Sequence, residues 1–192
     1  LLWKNGWPVA GEVFKEGTYE IESERRGYAL ELAVDFVRME YTRHRFWEKD
    51  DTPVVPLKSQ TLEDVIGTWP QGKINVRIGD YMFRPHQKWT ITAVPDGGGY
   101  LGGPYYKIVI EGTNRALAAT ADAEVVTVPE FTGAPEQLWR IDQLTDGTYR
   151  IMPKEVPGTD KELVLVSVGD STPSLGEFDM NSDNSKWNFR DH

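Results

Sequence analysis

Two short motifs recur three times along the chain, and their order constrains the fold more than any other feature. A Tyr-x-Ile segment opens each copy, at Tyr19-Glu20-Ile21, Tyr106-Lys107-Ile108 and Tyr149-Arg150-Ile151. A Trp-x-Ile or Trp-x-Phe segment closes each copy, at Trp89-Thr90-Ile91, Trp139-Arg140-Ile141 and Trp187-Asn188-Phe189. Both motifs have the period-two alternation that predicts β-strands. A supersecondary unit that repeats three times therefore organises the chain.

Two further strands are expected between the opening and closing motifs of each copy. The first is marked by a leucine followed five residues later by an aspartate, at Leu30 and Asp35, Leu117 and Asp122, and Leu165 and Asp170. The second is an extended run at residues 53–57, 124–128 and 173–178. Three copies of four strands predict an all-β fold, a β-trefoil, with repeats at about 15–91, 103–142 and 146–190.

The closing motifs carry a resemblance to a known family. Gln87-Lys88-Trp89 and Gln137-Leu138-Trp139 resemble the Gln-x-Trp element of ricin-B-type trefoil domains, which include carbohydrate-binding modules of family 13. Ser185-Lys186-Trp187 departs from that element by one residue. The resemblance covers residues 15–190 and implies a sugar-binding domain.

Composition limits the partners that such a domain could take. The chain has 192 residues, enough for one domain with a sizeable core. Its net charge of -9 and pI near 4.9 disfavour nucleic acid and anionic membranes, since both would meet a surface of like charge. The chain lacks cysteine, and its three histidines are far apart, so we expect neither disulfides, nor a metal, nor another cofactor.

Residues 1–14 lie outside the repeat pattern and read as a small hairpin around Asn5-Gly6. Leu2-Trp3-Lys4-Asn5-Gly6-Trp7-Pro8-Val9-Ala10-Gly11 resembles the last hairpin of the five-bladed catalytic propeller of glycoside hydrolase family 43. That resemblance implies a larger secreted enzyme, extracellular or periplasmic, whose propeller would be a partner of this domain. The alternative is an N-terminal arm that packs its tryptophans on the trefoil.

The first repeat is about twice as long as the others, and we expect the excess in two insertions, residues 36–52 and 59–84. The first insertion carries Tyr41 and Trp47, and the second carries Trp69. A short helix is predicted from Thr61, which would act as its N-cap. Long loops on a rigid scaffold often hold binding residues, although they could also cover a barrel end. The glycine-rich residues 92–104 are expected to form turns.

The family resemblance implies three elements of a sugar pocket: an acid after the leucine of the second strand, an aromatic residue near the third strand, and an asparagine before the Gln-x-Trp element. No repeat has all three. Repeat three has Phe178 as the aromatic residue and Asn184 as the amide, with Asp170 as a substitute acid. We therefore predict that Phe178, Asn184 and Asp170 bind carbohydrate, while Tyr41, Trp47 and Trp69 form a wall of the site. Phe178 could equally be a core residue.

The sequence shows no motif for catalysis, and we expect a non-enzymatic accessory domain. Its predicted ligand is a neutral polysaccharide or oligosaccharide, containing arabinose or galactose, from hemicellulose or pectin side chains. One alternative is a fungal-type trefoil protease inhibitor, which residues 129–149 also resemble, with Arg43 or Arg45 directed at trypsin. The other is a structural domain that supports a propeller.

Overall fold

The fold is described from a computed structural model that covers residues 2–4, 7–9, 13–25, 27–34, 61–100, 103–169 and 171–191. The strands are β1 (Leu2–Lys4), β2 (Trp7–Val9), β3 (Gly17–Ser23), β4 (Ala29–Leu32), β5 (Ile74–Gly79), β6 (Trp89–Tyr100), β7 (Gly103–Ile110), β8 (Ala116–Ala119), β9 (Val125–Val128), β10 (Trp139–Gln143), β11 (Tyr149–Pro153), β12 (Val164–Val168), β13 (Thr172–Gly176) and β14 (Trp187–Asp191). One α-helix, α1 (Leu62–Gly67), and short 3-10 turns at Pro85–Gln87, Pro135–Gln137 and Asp183–Ser185 complete the described elements.

The first and fourth strands of the three repeats close into a barrel. Within each repeat they pair with each other, β3 with β6, β7 with β10, and β11 with β14. Between repeats the fourth strand pairs with the next first strand, β6 with β7, β10 with β11, and β14 with β3. The second and third strands form hairpins, β4 with β5, β8 with β9, and β12 with β13. This is the predicted all-β trefoil.

The two recurring motifs lie on adjacent, paired strands of the barrel in every repeat. Each opening tyrosine is the register partner of the closing tryptophan, Tyr19 with Trp89, Tyr106 with Trp139, and Tyr149 with Trp187. All three tryptophans are fully buried. The tyrosines differ from one another, because Tyr19 and Tyr106 are buried whereas Tyr149 is half-buried.

One hydrogen bond recurs at the centre of each repeat and ties the barrel to a hairpin. The indole Nε1–H of Trp89, Trp139 and Trp187 donates to the carbonyl oxygen of Leu30, Leu117 and Leu165, at 2.8, 2.9 and 2.9 Å respectively. These leucines are themselves fully buried. The tryptophan therefore fills the core and also satisfies a buried backbone acceptor.

Phe14 fills one end of the barrel and contacts all three repeats. Its ring centroid lies 5.3 Å from that of Tyr19, and 5.7 Å from those of Tyr106 and Tyr149. The Tyr106 hydroxyl donates to the carbonyl oxygen of Phe14 at 3.0 Å. The segment before β3 is therefore an integral part of the trefoil core.

The enlarged first repeat differs from the sequence prediction in one respect. β5 pairs with β4 as β9 pairs with β8, so Ile74–Gly79 is the third strand of this repeat. The predicted third strand, residues 53–57, lies outside the described residues. The extra length therefore falls between the second and third strands, as one insertion and not as two. The predicted helix is present, with the Thr61 hydroxyl accepting from the Asp64 amide at 3.2 Å.

Two other local predictions have different outcomes. The N-terminal hairpin is confirmed, since β1 and β2 pair antiparallel with Trp3 opposite Pro8. The glycine-rich stretch does not form only turns, because β6 continues to Tyr100 and pairs with β7 through an irregular register between Val94 and Gly99.

Candidate functional site

Each repeat places an aromatic residue on the loop between its third and fourth strands. These residues are Tyr81, Phe131 and Phe178. In repeats two and three the middle residue of the Tyr-x-Ile motif projects over the ring, with Lys107 Nζ 5.4 Å from the Phe131 centroid and Arg150 Cζ 4.9 Å from the Phe178 centroid. Phe178 is half-buried. The ring of this predicted stacking residue is therefore partly accessible and is not fully enclosed in the core.

An ion-pair network orients the guanidinium group beside Phe178. Asp142 of β10 lies opposite Arg150 of β11 in the strand register. Asp142 Oδ2 is 2.7 Å from Arg150 Nη2 and 2.8 Å from Arg140 Nε. One carboxylate therefore binds two arginines on the same face of the ribbon, which fixes the position of Arg150 over the ring.

Sequence reasoning missed this network, although part of its signal was available. Asp142 and Arg150 flank the tight turn at Thr145-Asp146-Gly147, and a hairpin with that turn brings its flanking residues opposite each other. The turn itself is stabilised by Asp146, whose carboxylate accepts from the Thr148 amide at 2.9 Å. Hydrogen bonds from the Thr148 hydroxyl, the Thr148 amide and Lys186 together lower the pKa of Asp146 to about 2.

Asn184 lies in the 3-10 turn on the same connection as Phe178, between β13 and β14. Its side chain is exposed, and its backbone N–H donates to the Ser182 hydroxyl at 3.2 Å. The next residue, Ser185, donates to the carbonyl oxygen of Asp179 at 3.1 Å and so pins the loop from within. In the first two repeats a glutamine has this role, as Gln137 Oε1 accepts from the Thr132 amide at 2.8 Å.

The other predicted site residues are not part of this described arrangement. Asp170, Tyr41 and Trp47 lie outside the described residues, as do Arg43 and Arg45, the residues that the inhibitor alternative directs at trypsin. Trp69 is 8% exposed and belongs to the hydrophobic core. Its ring packs against protein atoms and has little surface left for a ligand, which corrects its predicted place in the wall of the site.

In repeat one, the residue at the acid position of the implied sugar pocket is Glu31, and neighbouring side chains already hydrogen-bond to its carboxylate. Glu31 is 2% exposed, and its carboxylate accepts from Arg77 Nε at 2.8 Å and from Gln87 Nε2 at 3.1 Å. His86 Nε2 lies 3.1 Å from the same carboxylate. Burial would raise the pKa of Glu31, but the hydrogen bonds from His86 and Arg77 outweigh it and hold the pKa below its ordinary value. His86 is therefore a structural histidine in this arrangement.

Repeat two lacks the acid altogether, because the corresponding position is Ala118, which is buried. Within the residues that the structure describes, no group of three histidine or acidic side chains is placed to hold a metal ion. Nor does any helix in the described ranges have the length and apolar character needed to cross a bilayer. The surface around Phe178 is thus the candidate site that the described side chains support best.

Comparisons with solved structures assign the fold class. A designed three-fold symmetric protein, ThreeFoil, matches 92% of this chain over 99% of its own, with 20% identity and a TM-score of 0.59. A Polyporus squamosus lectin, bound to the epitope Neu5Aca2-6Galb1-4GlcNAc, matches 94% of the chain over 50% of its own, with 15% identity and a TM-score of 0.59. The chain is accordingly a β-trefoil protein.

A family model and the structure of an enzyme give more specific similarities. Residues 85–173 match the family model of ricin-type beta-trefoil lectin domain-like proteins. An exo-beta-1,3-galactanase of Clostridium thermocellum, 1,3Gal43A, matches 93% of the chain over 31% of its own, with 15% identity and a TM-score of 0.56. The search of curated protein sequences gave no match. The same fold also occurs in a mosquitocidal holotoxin, of which this chain spans 18%, so the fold alone does not assign a function.

Proposed function

We propose that this chain is a non-catalytic carbohydrate-binding domain whose repeat-three surface binds a neutral polysaccharide. The observation that carries the proposal is the half-buried ring of Phe178 beside the Arg150–Asp142 ion pair, 4.9 Å from ring to guanidinium. The match of residues 85–173 to a lectin-like family model supports the same reading.

The chemistry of the surface suits a sugar. A pyranose or furanose ring presents C–H groups on one face, which can pack on an aromatic ring, and hydroxyls at its edge. Arg150 can donate to hydroxyl oxygens, Asp142 can accept from hydroxyl hydrogens, and the exposed amide of Asn184 can do both. A net charge of -9 favours an uncharged polymer over an anionic one.

The domain would serve as the accessory module of a glycoside hydrolase of family 43, held on arabinose- or galactose-containing hemicellulose or pectin side chains outside the cell or in the periplasm. Tethering an enzyme to its polymer raises the local substrate concentration without any new catalytic contact. The sequence of β1 and β2, which resembles a propeller hairpin, supports this origin in a larger enzyme. The likeness to a domain that makes up 31% of a galactanase supports it as well. Reading the coding sequence upstream of Leu1 tests it, since a propeller with acidic catalytic residues is expected there.

Affinity electrophoresis in gels that contain arabinan, arabinogalactan or xylan tests the binding itself. We expect at least one of these polymers to retard the protein, and Phe178→Ala to weaken the binding by about tenfold, because the stacking surface is lost. Phe131→Ala is the matched control, since Phe131 lies under Lys107 in repeat two. It should leave retardation unchanged.

Asn184→Ala is a second variant that perturbs only an exposed side chain and should weaken binding without affecting the fold. Thermal unfolding of each variant separates loss of binding from loss of structure. If no polymer retards the wild-type protein, the proposed function is wrong. If the Phe178 and Phe131 variants behave alike, the domain binds sugar but the site assignment is wrong.

A further inference from the structure

A groove of about 760 Å³ opens beside the loop that joins β11 to β12. This loop, residues 154–163, is much longer than the corresponding connections of the other repeats, 24–28 and 111–115. Tyr105 of β7 and Arg140 of β10 form the opposite wall. The groove is therefore a local addition to repeat three that breaks the three-fold symmetry of the fold, and its volume falls within the range of about 300–1,000 Å³ typical of ligand sites.

The loop that forms the groove is anchored at both ends. The Lys154 amide donates to the carbonyl oxygen of Leu138 at 2.8 Å, and Lys154 Nζ donates to the carbonyl oxygen of Gly97 at 2.8 Å. Val156 and Leu163 are buried. Gly158 makes the turn between them with a φ of +81°, a conformation that glycine adopts without strain. The groove is thus preformed by contacts within the chain.

The lining of the groove is polar and carries no excess of charge. Three cations and three carboxylates line it, Arg140, Lys154, Lys161, Glu155, Asp160 and Glu162. A sugar hydroxyl can donate to a carboxylate and accept from an ammonium or guanidinium group. A wall that carries both kinds of group can therefore pair with the hydroxyl as donor and as acceptor. The half-buried ring of Tyr105, 5.2 Å from Lys154 Nζ, adds an aromatic surface of the kind seen at Phe178.

The groove adjoins the ion-pair network beside Phe178 along the β10–β11 ribbon. On the β10–β11 ribbon Arg140 is the register partner of Met152, and both line the groove. Asp142 and Arg150 are the pair two residues further along, and Arg150 lies over Phe178. Residues two apart on a strand share a face and are about 7 Å from each other. Asp142 moreover binds Arg140 and Arg150 at once, so one ion-pair network spans the two regions.

We propose that the groove binds further residues of the same neutral polysaccharide chain that packs on Phe178, so that the domain recognises a stretch of several sugars and not one terminal sugar. This inference rests on the proposed function. It assigns binding roles to Tyr105, on β7 of the neighbouring repeat two, and to Asp160 and Glu162, on the loop between β11 and β12.

Chain-length dependence of the affinity tests the inference. The probes are a disaccharide and a hexasaccharide from linear arabinan, and the same pair from β-1,3-galactan, titrated calorimetrically into the whole chain. We expect the hexasaccharide to bind about tenfold more tightly than the disaccharide, because it gains two or more hydrogen bonds in the groove.

Two groove variants should abolish that gain while leaving disaccharide affinity unchanged. One is Tyr105→Ala. The other is the double variant Asp160→Asn with Glu162→Gln, and both of these carboxylate side chains are exposed. The matched control is Asp122→Asn with Glu124→Gln, which removes the same charge from the exposed turn between β8 and β9. The control should keep the full gain.

The outcomes separate the two proposals. If the hexasaccharide binds no better than the disaccharide, or if the groove variants keep the full gain, the groove has no role in binding and the proposed function stands without it. If neither probe binds and the polysaccharide gels show no retardation, the proposed function fails, and the groove inference fails with it.

Discussion

Replacing the three core tryptophans by phenylalanine, one at a time, should destabilise the protein to the same extent at each site. Trp89, Trp139 and Trp187 are each fully buried, and each donates its Nε1–H to a leucine carbonyl oxygen at 2.8–2.9 Å. Phenylalanine retains much of the ring but has no donor. The substitution therefore removes one hydrogen bond and leaves a small void at three equivalent places.

The size of the effect follows from these two losses. A buried carbonyl that loses its partner costs about 1–3 kcal/mol. The void left by the smaller ring adds about 1 kcal/mol, since its lining atoms lose contacts. Each variant should thus lose about 2–4 kcal/mol of the free energy of unfolding, a large share of the roughly 5–15 kcal/mol that a domain of this kind has. Complete truncation, as in Trp139→Ala, should cost about 3–5 kcal/mol or more and leave the domain close to unfolding.

Urea denaturation followed by far-UV circular dichroism measures these differences, and Phe131→Leu on a surface loop is the control, expected to change stability by less than about 1 kcal/mol. Equal losses at the three sites support the equivalence of the repeats. A loss below about 1 kcal/mol at all three would show that the indole hydrogen bond contributes little. A large loss at one site alone would show that the repeats share a sequence pattern without sharing its energetics.

Two other predictions concern the barrel end and the first repeat. Phe14→Ala should lower the free energy of unfolding by about 2–4 kcal/mol in the same assay, because the ring packs on tyrosines of all three repeats, whereas Val13→Ala beside it, an exposed side chain, should have little effect. The pKa of Glu31 is lowered in the folded state, so its ionised form stabilises the fold above the unfolded glutamate pKa of about 4.3. That contribution is lost as the pH falls through the lowered pKa, and the stability difference between wild type and Glu31→Gln should shrink over the same interval. A difference that is constant from neutral to acid pH would contradict this role.

The part of the candidate site that the sequence predicts depends on short-range patterns. The Gln-x-Trp comparison gave the loop before each closing tryptophan, which contains both Phe178 and Asn184. The same comparison showed that no repeat has a complete pocket, and the buried, fully bonded Glu31 of repeat one is consistent with that. The roles of Phe178, Asn184 and Asp170 in binding remain predictions.

The sequence alone determined the architecture, because local sequence patterns that repeat three times are enough to indicate a β-trefoil. Period-two alternation, the recurring tyrosine and tryptophan, and the Thr61 cap each act over a few residues and could be recognised without knowing any partner. The third strand of repeat one could not be assigned this way. Residues 53–57 and Ile74–Gly79 both look extended, and only the pairing of β5 with β4 selects between them.

The tertiary structure decided what the side chains do once distant segments meet. Trp69 looked like a surface aromatic on a loop, yet it packs into the core. Phe14 looked like part of a tail, yet it closes the barrel through rings from three repeats. Burial and hydrogen bonding depend on neighbours that are far apart in the chain, as with Lys154, whose ammonium group donates to the carbonyl oxygen of Gly97. Residue type and spacing carry the local preferences, whereas these contacts exist only when the whole barrel has closed.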